Sequence, residues 1–213
     1  MRTRYDEELK RMHDALIDMG AMIERAIGGA ITALENRDVQ RAKEIIAYDE
    51  EIDEQERLIE DMCMKLLLRQ QPVAGDLRKI STTLKLITDM ERIGDHAADI
   101  SELAMMLRDL PQMNSKNLRE MAVQTSAMLI DSVEAYVAQD EDRARAVIQH
   151  DDVVDELFVA MKREMIEAIR QNSDCSAAAD LLIAAKYFER IGDHATNIAE
   201  WTIYAITGKH IPK

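Results

Sequence analysis

Apolar residues recur along most of this chain at intervals of three and four positions, and no segment alternates convincingly with the period of a strand. The pattern predicts long amphipathic helices, each with one apolar stripe facing a core. Polar segments interrupt it at 35–38, 70–76, 109–115, 139–140 and 172–176. The sequence therefore predicts an all-α protein with six helices.

Local signals mark several of the predicted helix ends. Asp38 follows the first helix and is a candidate N-cap of the second. Pro72 is expected to end the second helix, and Asp76 is expected to cap the third. Gly208 follows the last apolar stripe and is expected to close the sixth helix.

The chain also repeats itself. ERIGDHAADISE at 91–102 returns as ERIGDHATNIAE at 189–200, with each residue 98 positions later. Residues of 38–54 match residues 102 positions later, which places a difference in turn length between the two blocks. We interpret the chain as a duplication that gives two tandem three-helix bundles, with domains at residues 1–110 and 111–213.

Composition narrows the classes of function. The formal net charge of −14 disfavours nucleic acid and anionic lipid as partners, because both need a basic surface. An acidic chain suits metal cations or basic protein surfaces. No apolar stretch approaches a membrane span, and the start lacks the apolar core of a signal peptide. Cys63 and Cys175 have no CxxC spacing, so we expect a reduced, cytoplasmic location without membrane insertion.

Acidic residues form a second stripe beside the predicted core stripe. On the third helix, Glu91, Asp95 and Asp99 lie four residues apart, and their copies end in Asn197. On the second helix, Asp49 and Asp53 have the same spacing. Carboxylates four residues apart repel each other on a helix by about 0.2–0.5 kcal/mol per pair.

Helix register predicts that the two stripes meet. If the turn is centred near residue 74, the antiparallel helices place Asp53 level with Asp95, and Asp49 level with Asp99. A centre near 174 places Asp155 level with Asp193, and Asp151 level with Asn197, in the second half. Oxygen ligands from two helices suit hard cations such as Mg²⁺, Ca²⁺, Mn²⁺ or iron. A solvated acidic face is the alternative explanation.

Other residues of the repeated block have simpler expected roles. Gly94 and Gly192 are unfavourable inside a helix and indicate a close approach by backbone, ligand, ion or a packed helix. His96 and His194 point away from the acidic stripe and are expected to form hydrogen bonds or helix contacts. Arg92 is expected to neutralise neighbouring acids. No nucleophile–base set or phosphate-binding loop occurs, so no catalytic residues are predicted and the protein is not expected to be an enzyme.

Four segments carry a resemblance to a known family. They are YDEELKRMHDAL at 5–16, LLLRQQPVAGDLR at 66–78, and the two ERIGDHA blocks. Together they make the whole chain similar to the PhoU family, the accessory regulators of phosphate transport. The resemblance implies two tandem three-helix bundles, in agreement with the architecture predicted above.

The resemblance also implies metal clusters on the bundle surfaces, often of iron, with Mn, Mg, Zn and Ca as alternatives. The implied metal ligands are Asp49, Asp53, Glu91, Asp95, Asp99, Asp151, Asp155, Glu189, Asp193 and Asn197. Asn197 departs from the acid found at Asp99, so the second site is expected to differ from the first.

The function implied by the resemblance is negative control of phosphate uptake and of phosphate-starvation signalling. The implied partners are a sensor histidine kinase and the ATPase of a phosphate ABC transporter. The alternative functions are a carboxylate-bridged metalloenzyme acting on phosphate esters or oxygen, and a helical spacer with solvated acids. Oligomeric state is left open, with a homodimer as one expectation.

Overall fold

The computed structural model describes residues 2–70, 74–107, 115–171 and 175–211, and these ranges contain helices and turns but no strand. The helices are α1 Arg2–Asn36, α2 Val39–Gln70, α3 Ala74–Met106, α4 Lys116–Ala138, α5 Glu141–Arg170 and α6 Cys175–Thr207. The predicted all-α class and the six helices are confirmed.

The helices form two bundles that lie side by side. Helices α1, α2 and α3 pack on one another, as do α4, α5 and α6. The bundles meet where α3 packs against α6 and α1 against α4. Asp89 contacts Asn197 while Arg78 approaches Gly208, so α3 and α6 run antiparallel. The predicted boundary between residues 110 and 111 lies outside the described residues.

The predicted apolar stripes form the core of each bundle. Along α3 and the residue after its end, the seven stripe residues are all buried: Leu86, Met90, Ile93, Ala97, Ile100, Ala104 and Leu107. The corresponding positions of α6 are also buried: Ala184, Phe188, Ile191, Ala195, Ile198, Thr202 and Ala205. Burial of one large aliphatic side chain contributes about 1.5–3 kcal/mol, so these stripes fix which face of α3 and α6 remains outside.

Helix ends follow the predicted signals with one correction. The Asp38 carboxylate accepts a hydrogen bond from the backbone N–H of Arg41 at 3.0 Å, as an N-cap does. Gly208 follows α6 with a φ of +73°, the left-handed conformation of a C-cap. Helix α3 begins at Ala74, so Asp76 lies in its first turn and not before it. There its charge still favours the helix dipole. Pro72 lies outside the described residues.

In the parts of the chain that the structure describes, no helix combines sufficient length and apolarity to cross a membrane.

Candidate metal centres on the bundle surfaces

A carboxylate of α2 lies directly against a glycine of α3. A Cβ atom built on Gly94 would stand 3.1 Å from Asp49 Oδ1 and 3.2 Å from Ile52 Cγ2. Such distances are tighter than normal van der Waals contact. The missing side chain of Gly94 therefore makes room for the Asp49 carboxylate between the two helices.

The second bundle repeats this contact. A Cβ atom on Gly192 would stand 3.1 Å from Asp151 Oδ1, and 3.5 Å from Val154 Cγ1. The close approach indicated by the two glycines is thus an approach by an aspartate of the neighbouring helix. The sequence alone does not identify the approaching group.

Four further acids surround Asp49, and we call the five together the first acidic patch. Its members are Asp49, Asp53, Glu91, Asp95 and Asp99. Burial, followed by the negative charges of its four neighbours, raises the pKa of Asp49 from 3.8 to about 6. Its Oδ1 atom is buried and has no hydrogen-bond partner among the described residues. A buried, unpaired carboxylate oxygen inside an acidic cluster is costly without a cation.

The second acidic patch has the same organisation. It consists of Asp151, Asp155, Glu189 and Asp193. Burial, then the charges of Asp193, Asp155 and Glu189, raises the pKa of Asp151 to about 6. Burial and Glu189 also raise the pKa of Asp193. Acids from two helices therefore converge in both bundles.

The predicted register is wrong by about one helical turn. Asp49 lies beside Gly94 and not level with Asp99. The reason is the position of the turn: α2 ends at residue 70 and α3 begins at residue 74, so the centre lies near 72 and not 74. In the second bundle the same correction places Asp151 beside Gly192 and not level with Asn197.

Asn197 lies outside the second patch and faces the other bundle. Its Nδ2 donates to Asp89 Oδ1 at 3.2 Å, and Asp89 also contacts Nδ1 of His194 at 2.8 Å. Asp99, at the corresponding position of α3, contacts Nδ1 of His96 at 3.2 Å while its charge still acts on Asp49.

The two histidines of the repeated block meet between the bundles. The ring centroids of His96 and His194 are 5.6 Å apart, and the His96 ring also lies 5.4 Å from that of Tyr187. Their expected role in hydrogen bonds and helix contacts is confirmed. Asp89 and Tyr187 were missed by sequence analysis, because they occupy corresponding positions with unrelated side chains and neither carries a motif.

The comparisons with known proteins agree with this architecture. The PhoU domain profile matches the chain twice, at residues 16–104 and 118–202. The chain belongs to the PhoU family. A PhoU homologue from Clostridium acetobutylicum is 38% identical over 97% of this chain and 96% of its own length. One from Borreliella burgdorferi is 32% identical over 99% of this chain and 98% of its own length.

Solved PhoU structures share the fold. The crystal structure of PhoU from Pseudomonas aeruginosa superposes with a TM-score of 0.89 and 32% identity, covering 96% of this chain and all of that one. The phosphate transport system regulatory protein PhoU from Streptococcus pneumoniae gives a TM-score of 0.91 at 26% identity, over 98% of this chain and all of the other. The two-bundle arrangement is thus the PhoU fold.

Basic side chains partly neutralise both PhoU patches. Arg92 Nη1 donates to Asp95 Oδ2 at 2.8 Å, as expected, and Arg57 lies 3.4 Å from Asp53. In the second patch Lys186 pairs with Glu189. Within the described ranges, no three His, Cys, Asp or Glu side chains are already arranged around a metal position. Metal binding would therefore require these carboxylate side chains to move closer to one another.

The residues nevertheless fit a hard cation chemically. Both patches offer carboxylate oxygens from two helices, the ligand type of Mg²⁺, Ca²⁺, Mn²⁺ and iron. Asp49 and Asp151 each rest in a glycine cradle, where a larger side chain would displace the carboxylate. A bound cation would supply the positive charge that lets these carboxylates ionise together.

Proposed function

We propose that this protein is an accessory regulator of phosphate-specific transport that holds metal ions at its two acidic patches. Its Clostridium acetobutylicum relative is named an accessory protein of the phosphate-specific transport system, and the Streptococcus pneumoniae protein a regulatory protein of phosphate transport. Each aligns with nearly the whole chain, which supports transfer of the regulatory role.

The metal-binding part of the proposal rests on one repeated observation. Asp49 and Asp151 press against glycines of a neighbouring helix, inside acidic clusters that raise the pKa of each carboxyl to about 6. Packing these groups together opposes folding unless protons or cations offset the charge. A divalent or trivalent cation does so at neutral pH, where protons are scarce.

The regulatory part of the proposal is negative control exerted through binding. We infer that the protein represses phosphate uptake and starvation signalling by contacting a sensor histidine kinase and the ATPase of a phosphate ABC transporter. Its formal net charge of −14 would favour binding to a basic surface on either partner.

Elemental analysis of protein purified without chelator tests the metal. We expect divalent or trivalent metal that the double variant Asp49→Asn/Asp151→Asn lacks. The matched control is Glu54→Gln/Glu156→Gln, which removes exposed acids from the same two helices. If the native protein carries no metal and shows no affinity on titration, the metal sites are rejected and the regulatory role is not.

A separate experiment tests regulation. Phosphate uptake is measured in cells that lack the chain and in cells that express it, at high external phosphate. We expect uptake to rise without the chain and to fall when it is restored. Equal uptake in both would reject the regulator. Turnover in a phosphatase or oxidase screen that Asp95→Ala abolishes would favour the metalloenzyme instead.

A further inference from the structure

An arginine of the second bundle is held by two carboxylates of the neighbouring helix. Arg143, in the first turn of α5, donates to Asp131 Oδ1 of α4 from Nη2 at 2.6 Å and from Nε at 3.1 Å. It also pairs with Glu134. The hydrogen bond to Asp131 raises the pKa of Arg143. Asp131 and Arg143 line the groove between α4 and α5, whose cavity measures about 170 Å³.

Arg41 is the structural counterpart of Arg143 in the first bundle. Each is the third residue after the N-cap of its helix, and its backbone N–H donates at 3.0 Å to the capping aspartate, Asp38 or Asp140. Both positions also line a groove between the first two helices of their bundle. Arg41 and Arg143 therefore occupy equivalent positions in the two bundles, with the same backbone orientation.

The carboxylates that hold Arg143 have no counterpart on α1. Gly29 stands where α4 has Asp131, and Thr32 stands where it has Glu134, each 102 positions earlier. The Arg41 side chain makes no ion pair with any of the described residues. The open groove beside it measures about 390 Å³.

The groove is shaped by an arginine, an aromatic ring and two glutamates. The Arg25 guanidinium lies over the Tyr48 ring, 4.9 Å from its centroid. Glu44 and Glu51 also line the groove, and Glu44 accepts a hydrogen bond from Gln40 at 3.3 Å. The lining is balanced in formal charge, so long-range attraction does not select a ligand. Recognition must come from direct contact with a guanidinium.

We propose that Arg41 binds carboxylate side chains of a partner protein, as Arg143 binds those of α4. The fitting ligand is a helical segment with two acids three residues apart, the spacing of Asp131 and Glu134. A guanidinium engages carboxylates through parallel hydrogen bonds, which fixes both the position and the direction of the bound segment. The formal net charge of −14 opposes the long-range approach of an acidic segment, so binding depends on these direct contacts.

The test uses an alanine-rich helical peptide with one Asp-x-x-Glu pair, and an Asn-x-x-Gln peptide as control. Binding to the full chain is followed by backbone chemical shifts, which detect weak complexes. We expect shifts around residues 25–51 with the acidic peptide alone. Arg41→Gln should weaken binding by about tenfold or more, because hydrogen bonds to charged groups are lost. Equal binding by Arg41→Gln, or by the uncharged peptide, would overturn the proposal.

Two variants exchange the properties of the bundles. Thr32→Glu places a carboxylate where α4 has Glu134, and we expect it to occupy Arg41 and block the peptide, whereas Thr32→Gln does not. Asp131→Asn/Glu134→Gln should free Arg143 and create a second peptide site. A peptide that binds Thr32→Glu as well as Thr32→Gln contradicts the proposal, as does inorganic phosphate binding at Arg41 in place of the peptide.

Discussion

The two acidic patches are alike at their centres and different at their edges. Asp49 and Asp151 both place Oδ1 3.1 Å from a Cβ position that a glycine leaves empty, and burial with neighbouring acids raises both pKa values to about 6. At the edge, Asp99 remains within reach of the first patch, whereas Asn197 turns to Asp89 of the other bundle.

This difference concerns how each acidic patch meets the interface between the two bundles. Asp99 contacts His96, whose ring meets His194 across the interface, so the first patch reaches the other bundle through a chain of side-chain contacts. Asn197 offers no corresponding contact to a histidine of its own helix, because its amide is bonded to Asp89. The copies kept the aspartate–glycine contact and diverged where they touch each other.

The largest expected effect is loss of metal from one patch at a time. Asp49→Asn should lower metal affinity at the first patch by about 100-fold or more, because even residues that only support a metal ligand contribute about 10–100-fold, and affinity at the second patch should not change. Asp151→Asn should do the reverse. Calorimetric titration of each single variant with Mn²⁺ measures the affinities of the two patches separately. If each single variant removes metal from both patches, the two sites are coupled, and independent binding at the two patches is rejected.

A second prediction concerns pH in the metal-free protein. The pKa of Asp49 and of Asp151 lies near 6 in the folded chain, against 3.8 ordinarily, so the folded state binds these protons more tightly. Their contribution to stability is therefore full below pH 4 and lost as pH rises through 6. Because both groups are half exposed, solvent screening reduces the effect to about 1 kcal/mol per site.

Chemical denaturation at pH 5 and at pH 7 measures this loss. Other carboxyls titrate too, so the informative quantity is the difference between the native chain and Asp49→Asn/Asp151→Asn. The variant should lose less stability between pH 5 and pH 7. Added metal should restore the stability of the native chain at pH 7. If stability falls equally with pH in the two proteins, ionisation of Asp49 and Asp151 does not destabilise the fold. Glu54→Gln/Glu156→Gln should follow the native curve.

Sequence periodicity predicted the fold well, because the spacing of residues along a helix determines which side of the helix each side chain occupies. The stripe that contains Met90 and Ile93 could be read directly, and it faces the core as expected. The turn between α2 and α3 could not be read as accurately. A difference of two residues in its centre shifts one antiparallel helix past the other by about four positions, which moved Asp49 from Asp99 to Gly94.

The edge of the site depends on contacts that no local pattern encodes. Asn197 stands in the acidic stripe by spacing, yet its amide bonds to Asp89, which lies 108 positions away. The positions of Arg92 and His96 were predicted because their partners lie on the same helix or the same repeated block. Partners contributed by the other bundle require the packing of α3 on α6.

The glycine cradles allow a finer comparison. Alanine gains about 1 kcal/mol over glycine in a helix, but a close neighbour can cancel the gain. At Gly192 only the Asp151 carboxylate is tight, since Val154 is in ordinary contact at 3.5 Å. At Gly94 both Asp49 and Ile52 are tight. Gly94→Ala should therefore be less stable than Gly192→Ala by about 1 kcal/mol in metal-free protein. Equal denaturation midpoints would show that Ile52 moves freely.

The smallest expected effect comes from restoring the missing acid. Asn197→Asp removes a hydrogen-bond donor to Asp89 and places two carboxylates together, so we expect a loss of about 0.5–1 kcal/mol in metal-free protein. Because this side chain faces the interface, metal content at the second patch should not change. Asp99→Asn is the reciprocal control and should lower metal affinity at the first patch only slightly. If Asn197→Asp binds more metal, position 197 is a ligand position, and the two patches differ by a single side chain.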